Sequence, residues 1–141
     1  MKREQRTQAP GGVDQNQYDA EAKERWGETD AYKESAKRTE NFSTEDWARI
    51  QEETEVVEAR LAEIFLAGHD PGDEASMDAA EAHRLQIENF YPCSYAMHVG
   101  LGQMYTADPR FAEHYDKRAK GLAAFLQVAI EANAKRAEEA S

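Results

Sequence analysis

The residues with the most chemical potential stand in the stretch Tyr91-Pro92-Cys93-Ser94. Cys93 is the only cysteine, so it has no partner for an internal disulfide, and nothing in the chain calls for an oxidising compartment. A proline interrupts the helix before it and suits the first position of the next one. The sequence therefore predicts Cys93 at or near a helix N-terminus. Free backbone N–H groups there lower a thiol pKa and favour the thiolate, the nucleophilic form. Against this stands the commoner role of a free cysteine, a small buried apolar residue. The histidines are His69, His83, His98 and His114. A cysteine–histidine pair would supply a nucleophile and its base. His98, however, follows Cys93 at a spacing that does not face it within one helix. His83 falls on an apolar face and could reach Cys93 only through tertiary packing. Each histidine reads best as a core or surface residue bonded to its neighbours. No third orienting residue stands out, so a cysteine-dependent enzyme is the weakest function class.

Metal and cofactor chemistry find little support. There is no Cys-x-x-Cys, and no histidine pair stands at i, i+3 or i, i+4. Gly100 and Gly102 lack the spacing and preceding strand of a phosphate loop. They interrupt a helical pattern at roughly 1 kcal/mol each relative to alanine, and can admit close approach of another helix or a ligand. Around them gather Tyr91, Tyr95, Met97, Met104, Tyr105 and Phe111. The plain role of such residues is core; the functional one is a soft, adaptable pocket wall.

Helices must position these residues. Ser43 is a good N-cap with Asp46 in the capping-box position, and Phe42 and Trp47 are spaced as a hydrophobic staple. Trp47, Ile50, Thr54, Val57, Leu61 and Ile64 then recur on one face until Gly68. A second core helix is predicted from about Ser76 to Phe90, with Met77, Ala80, His83, Ile87 and Phe90 on one side. A third runs from about Pro92 to Tyr105. Asp108-Pro109 restarts the chain as a short helix carrying Phe111 and Tyr115. After Gly121, a last helix buries Leu122, Phe125, Leu126, Ala129 and Ile130. Before residue 43 the helical signals are weak: Tyr18, Ala22 and Trp26, then Tyr32 and Ala36. No alternating strand pattern competes, so the fold is an all-α bundle or a globin-like arrangement of crossed helices.

Composition sets outer limits. Lys plus Arg number 17 and Asp plus Glu 28, a formal net charge of −11. So acidic a chain is repelled by a phosphate backbone, which argues against direct nucleic-acid binding by these residues. No run approaches the ~20 apolar residues of a membrane span, and Met1 to Pro10 lacks the apolar core of a signal peptide. A cytoplasmic location is expected.

At this point the motifs resemble a known family, the TipA-S antibiotic-recognition domain. The resemblance lies in residues 25–35, Phe42 through Trp47 and Ala82-His83-Arg84. It is strongest in Tyr91 through His98, Gly100 through Tyr105 and Asp108 through Phe111, and residues 121–130 close it. It implies a globin-like helical fold without haem and with no other cofactor. It implies a ligand among bulky hydrophobic natural products, thiopeptides above all, for transcriptional sensing or for sequestration in resistance. It implies that a cysteine placed as Cys93 adds to a dehydroalanine of the bound thiopeptide. The site residues expected are Trp26, Tyr32, His83, Tyr91, Cys93, Tyr95, His98, Met104 and Tyr105. The resulting organisation is a disordered tail (1–13), a loosely packed helical lid that folds over the ligand (14–42), a helical ligand-binding core (43–135) and a polar tail (136–141). In many relatives the domain follows a MerR-type DNA-binding segment, through which a homodimer would form. The rival function is a structural or dimerisation module of such a regulator, without drug binding.

Overall fold

The computed structural model describes residues 30–140, so the expected tail, the first part of the lid and Trp26 lie outside the described residues. Every regular element among them is helical. In chain order these are α1 (Asp30–Glu40), α2 (Thr44–Leu66), α3 (Glu74–Ile87), α4 (Tyr95–Ala107), α5 (Pro109–Asp116) and α6 (Leu122–Ala140). The helices cross as a globin-like bundle, with α6 at the centre against α2, α3, α4 and α5.

Local chemistry sets the boundaries. Ser43 caps α2 by accepting from Asp46 N, while Asp46 accepts from Ser43 N, completing the capping box. The Phe42 and Trp47 rings meet edge-on at 5.3 Å, and Phe90 completes the aromatic group. Gly68 takes φ +87° just past the end of α2, where a side chain would be strained. Asp108 caps α5 with Pro109 at its first turn, as the sequence predicts.

Leu61 and Ile64 of α2, Ala79 and Ala80 of α3, Tyr105 of α4, Tyr115 of α5 and Leu122, Phe125, Leu126, Ala129 and Ile130 of α6 make one core. Each large aliphatic side chain buried there contributes roughly 1.5–3 kcal/mol. Small residues let the helices close in. A Cβ on Gly102 would stand 3.2 Å from Ile130 Cδ1 and 3.5 Å from the Gln127 Cα, so α4 and α6 touch through that glycine. Gly100 faces open space and serves no such purpose. The polar stretch from residue 136 continues α6 to Ala140, and Arg136 reaches Asp78 at 3.0 Å.

One boundary differs from the sequence prediction in a way that matters. The helix after Pro92 starts at Tyr95, because the Ser94 side chain accepts from Met97 N and takes the cap. Cys93 therefore precedes the cap and lies outside the first turn.

Candidate functional site

Arg84, near the end of α3, organises the loop that carries Cys93. Its guanidinium holds Glu81 at 2.6 Å and Glu88 at 3.3 Å, donates to the Cys93 carbonyl at 2.7 Å, and lies over the Tyr95 ring at 4.3 Å. Glu88 in turn accepts the Cys93 N–H at 3.0 Å. Both backbone polar groups of Cys93 are thus held by α3 and its C-cap. The residue before that loop is gripped from the other side as well: Arg38 of α1 donates to the Glu88 carbonyl at 2.7 Å. This Arg84–Glu88 clasp ties α1, α3 and the start of α4 together.

The thiol in the clasp is not the activated one that a helix start would give. Cys93 is only 1 % exposed, and its Sγ faces the Ser94 carbonyl at 3.7 Å. Burial pushes the thiol up to about 11; Arg84 pulls the other way, and Glu88 and Glu81 add to the rise. The expectation of a lowered thiol pKa is therefore corrected. The thiol sits in the interior, ahead of the free N–H groups of α4, and desolvation outweighs the nearby cation.

Behind the clasp runs a buried chain of hydrogen bonds. His83 Nδ1 and His98 Nε2 share one at 2.9 Å, and His83 Nε2 and Tyr115 Oη another at 3.0 Å. Tyr105 stands edge-on to His83 at 5.7 Å and tilted against Tyr115 at 5.2 Å. Burial, and then the neighbouring His98, push His83 down to about 3. Burial, and then Arg84, push His98 down to about 4. Both rings are neutral at pH 7, while burial raises Tyr115 well above the ordinary phenol range. A second, flanking group joins α2 to α5: the buried Glu58 meets His114 at 2.9 Å and Arg118 at 3.3 Å.

Among the sequence-predicted site residues, the structure brings His83, His98 and Tyr105 into one cluster and gathers Cys93 and Tyr95 around Arg84. Met104 packs against the main core from α4. Tyr91 is half-buried in the loop before Cys93, and Tyr32 is half-buried on α1. Sequence reasoning missed Arg84, Glu88 and Tyr115. The Glu81-Arg84-Glu88 spacing on one helix face was the available signal for the first two. Tyr115 had none, since its partner His83 is 32 residues away. Among the described residues, no three His, Cys, Asp or Glu side chains stand together as a metal site. No described helix is long and apolar enough to cross a membrane.

The chain is thus a crossed-helix domain whose interior polar groups bond one another beside a clasped loop. Comparison with known proteins gives the family. The TipAS antibiotic-recognition domain matches residues 18–133, and the chain belongs to that family. Over 134 residues it is 44% identical to the HTH-type transcriptional activator TipA of Streptomyces coelicolor, covering 94% of this chain and 53% of that protein. It is 33% identical over 117 residues to the HTH-type transcriptional activator mta of Bacillus subtilis, covering 82% of this chain and 44% of that one. The chain thus spans about half the length of the curated relatives it matches. TipAS of Streptomyces lividans, solved in complex with nosiheptide as part of a thiopeptide antibiotic multidrug resistance system, superposes with a TM-score of 0.84. That match has 45% identity and covers 91% of this chain and 90% of the other. The antibiotic-binding domain of a TipA-class multidrug resistance transcriptional regulator matches with a TM-score of 0.59 at 44% identity, over 64% of this chain and 98% of that one.

Proposed function

We propose that this domain binds bulky hydrophobic natural products of the thiopeptide class, for transcriptional sensing or for sequestration. The observation that carries the proposal is the likeness to TipAS, at 45% identity across 91% of the chain, in a complex that holds nosiheptide. The site is Cys93 and its clasp, with Tyr91, Tyr95, His83, His98, Met104 and Tyr105 around it and Trp26 and Tyr32 supplied by the amino-terminal lid. The domain works by binding, without turnover, in the cytoplasm, and a homodimer forms through a MerR-type segment where one is joined to it.

Covalent capture is a separable part of the proposal. The Cys93 thiol adds across the C=C of a dehydroalanine: sulfur bonds to the terminal carbon, and the thiol proton ends on the other. Nothing leaves, so the adduct gains the full mass of one ligand. Because the thiol is buried with a raised pKa, capture requires the ligand to open the Arg84–Glu88 clasp first.

Intact mass and thermal shift with a dehydroalanine-containing thiopeptide test both parts. The expected result is a shift of one ligand mass on the wild type, lost in Cys93→Ser, together with a raised melting temperature. Binding without an adduct would remove the covalent step alone. Absence of any binding would favour the rival role, a structural module of a regulator.

A further inference from the structure

The buried hydrogen-bond chain ends on an atom with no partner among the described residues. His98 is almost wholly buried; its Nε2 is bonded to His83, and its Nδ1 meets no hydrogen-bonding group. Buried polar atoms left this way are uncommon, and each needs a reason. The chain can order its protons in either of two directions. In one, His98 Nε2–H donates to His83 Nδ1 and His83 Nε2–H donates to Tyr115 Oη, which leaves a bare lone pair on His98 Nδ1. In the other, Tyr115 donates to His83 Nε2 and His83 Nδ1–H donates to His98 Nε2, which leaves an N–H on His98 Nδ1. Both orderings keep the rings neutral, and both leave the same atom unsatisfied.

His98 stands in the first turns of α4, at the end next to Cys93. A helical side chain leans toward the helix N-terminus and covers the turn before its own Cα. For His98 this is the turn capped by Ser94. Cys93 and His98 occupy the position before the cap and the fourth residue of the helix. The charge of Arg84, which holds the Cys93 loop, is felt at the His98 ring, so the ring with the unsatisfied nitrogen lies close to the clasp.

We propose that His98 Nδ1 is a recognition atom of the ligand site, bonding one neutral amide or hydroxyl group of the bound molecule. The inference rests on the antibiotic-binding function proposed above and adds a polar determinant to it. A ligand N–H or O–H selects the ordering that leaves the lone pair; a ligand carbonyl selects the ordering that leaves the N–H. One buried atom thus serves donors and acceptors without charging, which suits a site that takes more than one ligand. A carboxylate or ammonium gains no ion pair from it.

The test uses the whole chain and nosiheptide. Long-range nitrogen–proton NMR is expected to show the His98 Nδ1 resonance moving on saturation with nosiheptide. His98→Phe is expected to weaken binding about tenfold, the size of one lost hydrogen bond at the upper end of its usual range. His98→Asn, which keeps a donor and an acceptor near the Nδ1 position, is expected to restore most of that loss. An unmoved Nδ1 resonance in the saturated complex, or wild-type affinity in folded His98→Phe, overturns the inference and leaves the binding function standing. Should His98→Phe fail to fold, the wild-type resonance decides alone. Failure of the wild type to bind nosiheptide overturns both.

Discussion

Burial acts on Cys93 and on the two interior histidines in opposite chemical directions, and each direction can be measured. The thiol, pushed up to about 11 from an ordinary 9.0, favours the neutral form in the folded chain. Its stabilising effect is present below pH 9.0 and fades as pH rises toward 11. In the free protein at pH 7.5, alkylation by iodoacetamide should be at least about tenfold slower than in urea, because both thiolate fraction and access are reduced. Equal rates followed by intact mass would show that the clasp does not protect the thiol. For His83 and His98 the folded pKa lies below the unfolded 6.5, at about 3 and about 4. Their contribution is complete above pH 6.5 and is lost as pH falls, because the unfolded chain takes up protons first. Asp46, Glu55, Asp73 and Glu81 are all held below their ordinary values, chiefly by hydrogen bonds, so their losses come at lower pH. The urea midpoint should therefore fall between pH 7 and about 5 for reasons carried by the histidines, whose ordinary titration lies in that window. A midpoint that stayed flat to pH 5 would contradict neutral burial of the pair.

What the sequence made legible at the level of elements was whatever a short stretch of chain decides by itself. Ser43 with Asp46, Phe42 with Trp47, and Asp108 with Pro109 are local devices, and the structure shows each as read. The start of α4 was misplaced because two local signals competed. Pro92 suits a first helical position, yet Ser94 can cap, and the Glu88 and Arg84 contacts that hold Cys93 outside the helix come from α3. The interior chain was illegible for the same reason: His83, His98 and Tyr115 meet only when three helices cross. Glycines separate the local from the tertiary cleanly. Gly100→Ala should stabilise the protein by about 1 kcal/mol, since the site is open and only helix propensity changes. Gly102→Ala should gain little or lose, because Ile130 must yield at 3.2 Å where α4 crosses α6. Gly121→Ala should cost at least about 1 kcal/mol, since φ is +97° there and Phe65 Cζ lies 3.2 Å from the added atom. Urea denaturation of the three variants checks the order, and equal stability of Gly100→Ala and Gly102→Ala would count against the close crossing.

Over the whole molecule the excess of acidic residues becomes a stability term. A net charge of −11 on 141 residues means that compaction brings like charges together, and self-repulsion opposes the folded state. Several pairs relieve this locally: Arg118 bonds Glu55 and Glu58, Arg49 approaches Asp46 and Glu53, and Arg136 meets Asp78. Most of these charges are well exposed, and exposed pairs contribute only about 0–1 kcal/mol each. Salt therefore acts in two senses, weakening the pairs a little and damping the longer-range repulsion throughout. At about 0.15 M the screening length is roughly 8 Å, shorter than the distance across a domain of this size, so the long-range term is removed first. The melting temperature should accordingly rise between 20 mM and 300 mM sodium chloride at pH 7.5, concentrations chosen to span roughly that screening regime. A fall instead would mean that the ion pairs, with the Arg84–Glu88 clasp among them, outweigh the net charge. Repeating the scan in Arg84→Met tells these apart: its melting temperature should be lower at every salt concentration, with the upward slope retained, because the clasp is local and partly buried while the repulsion belongs to the whole surface.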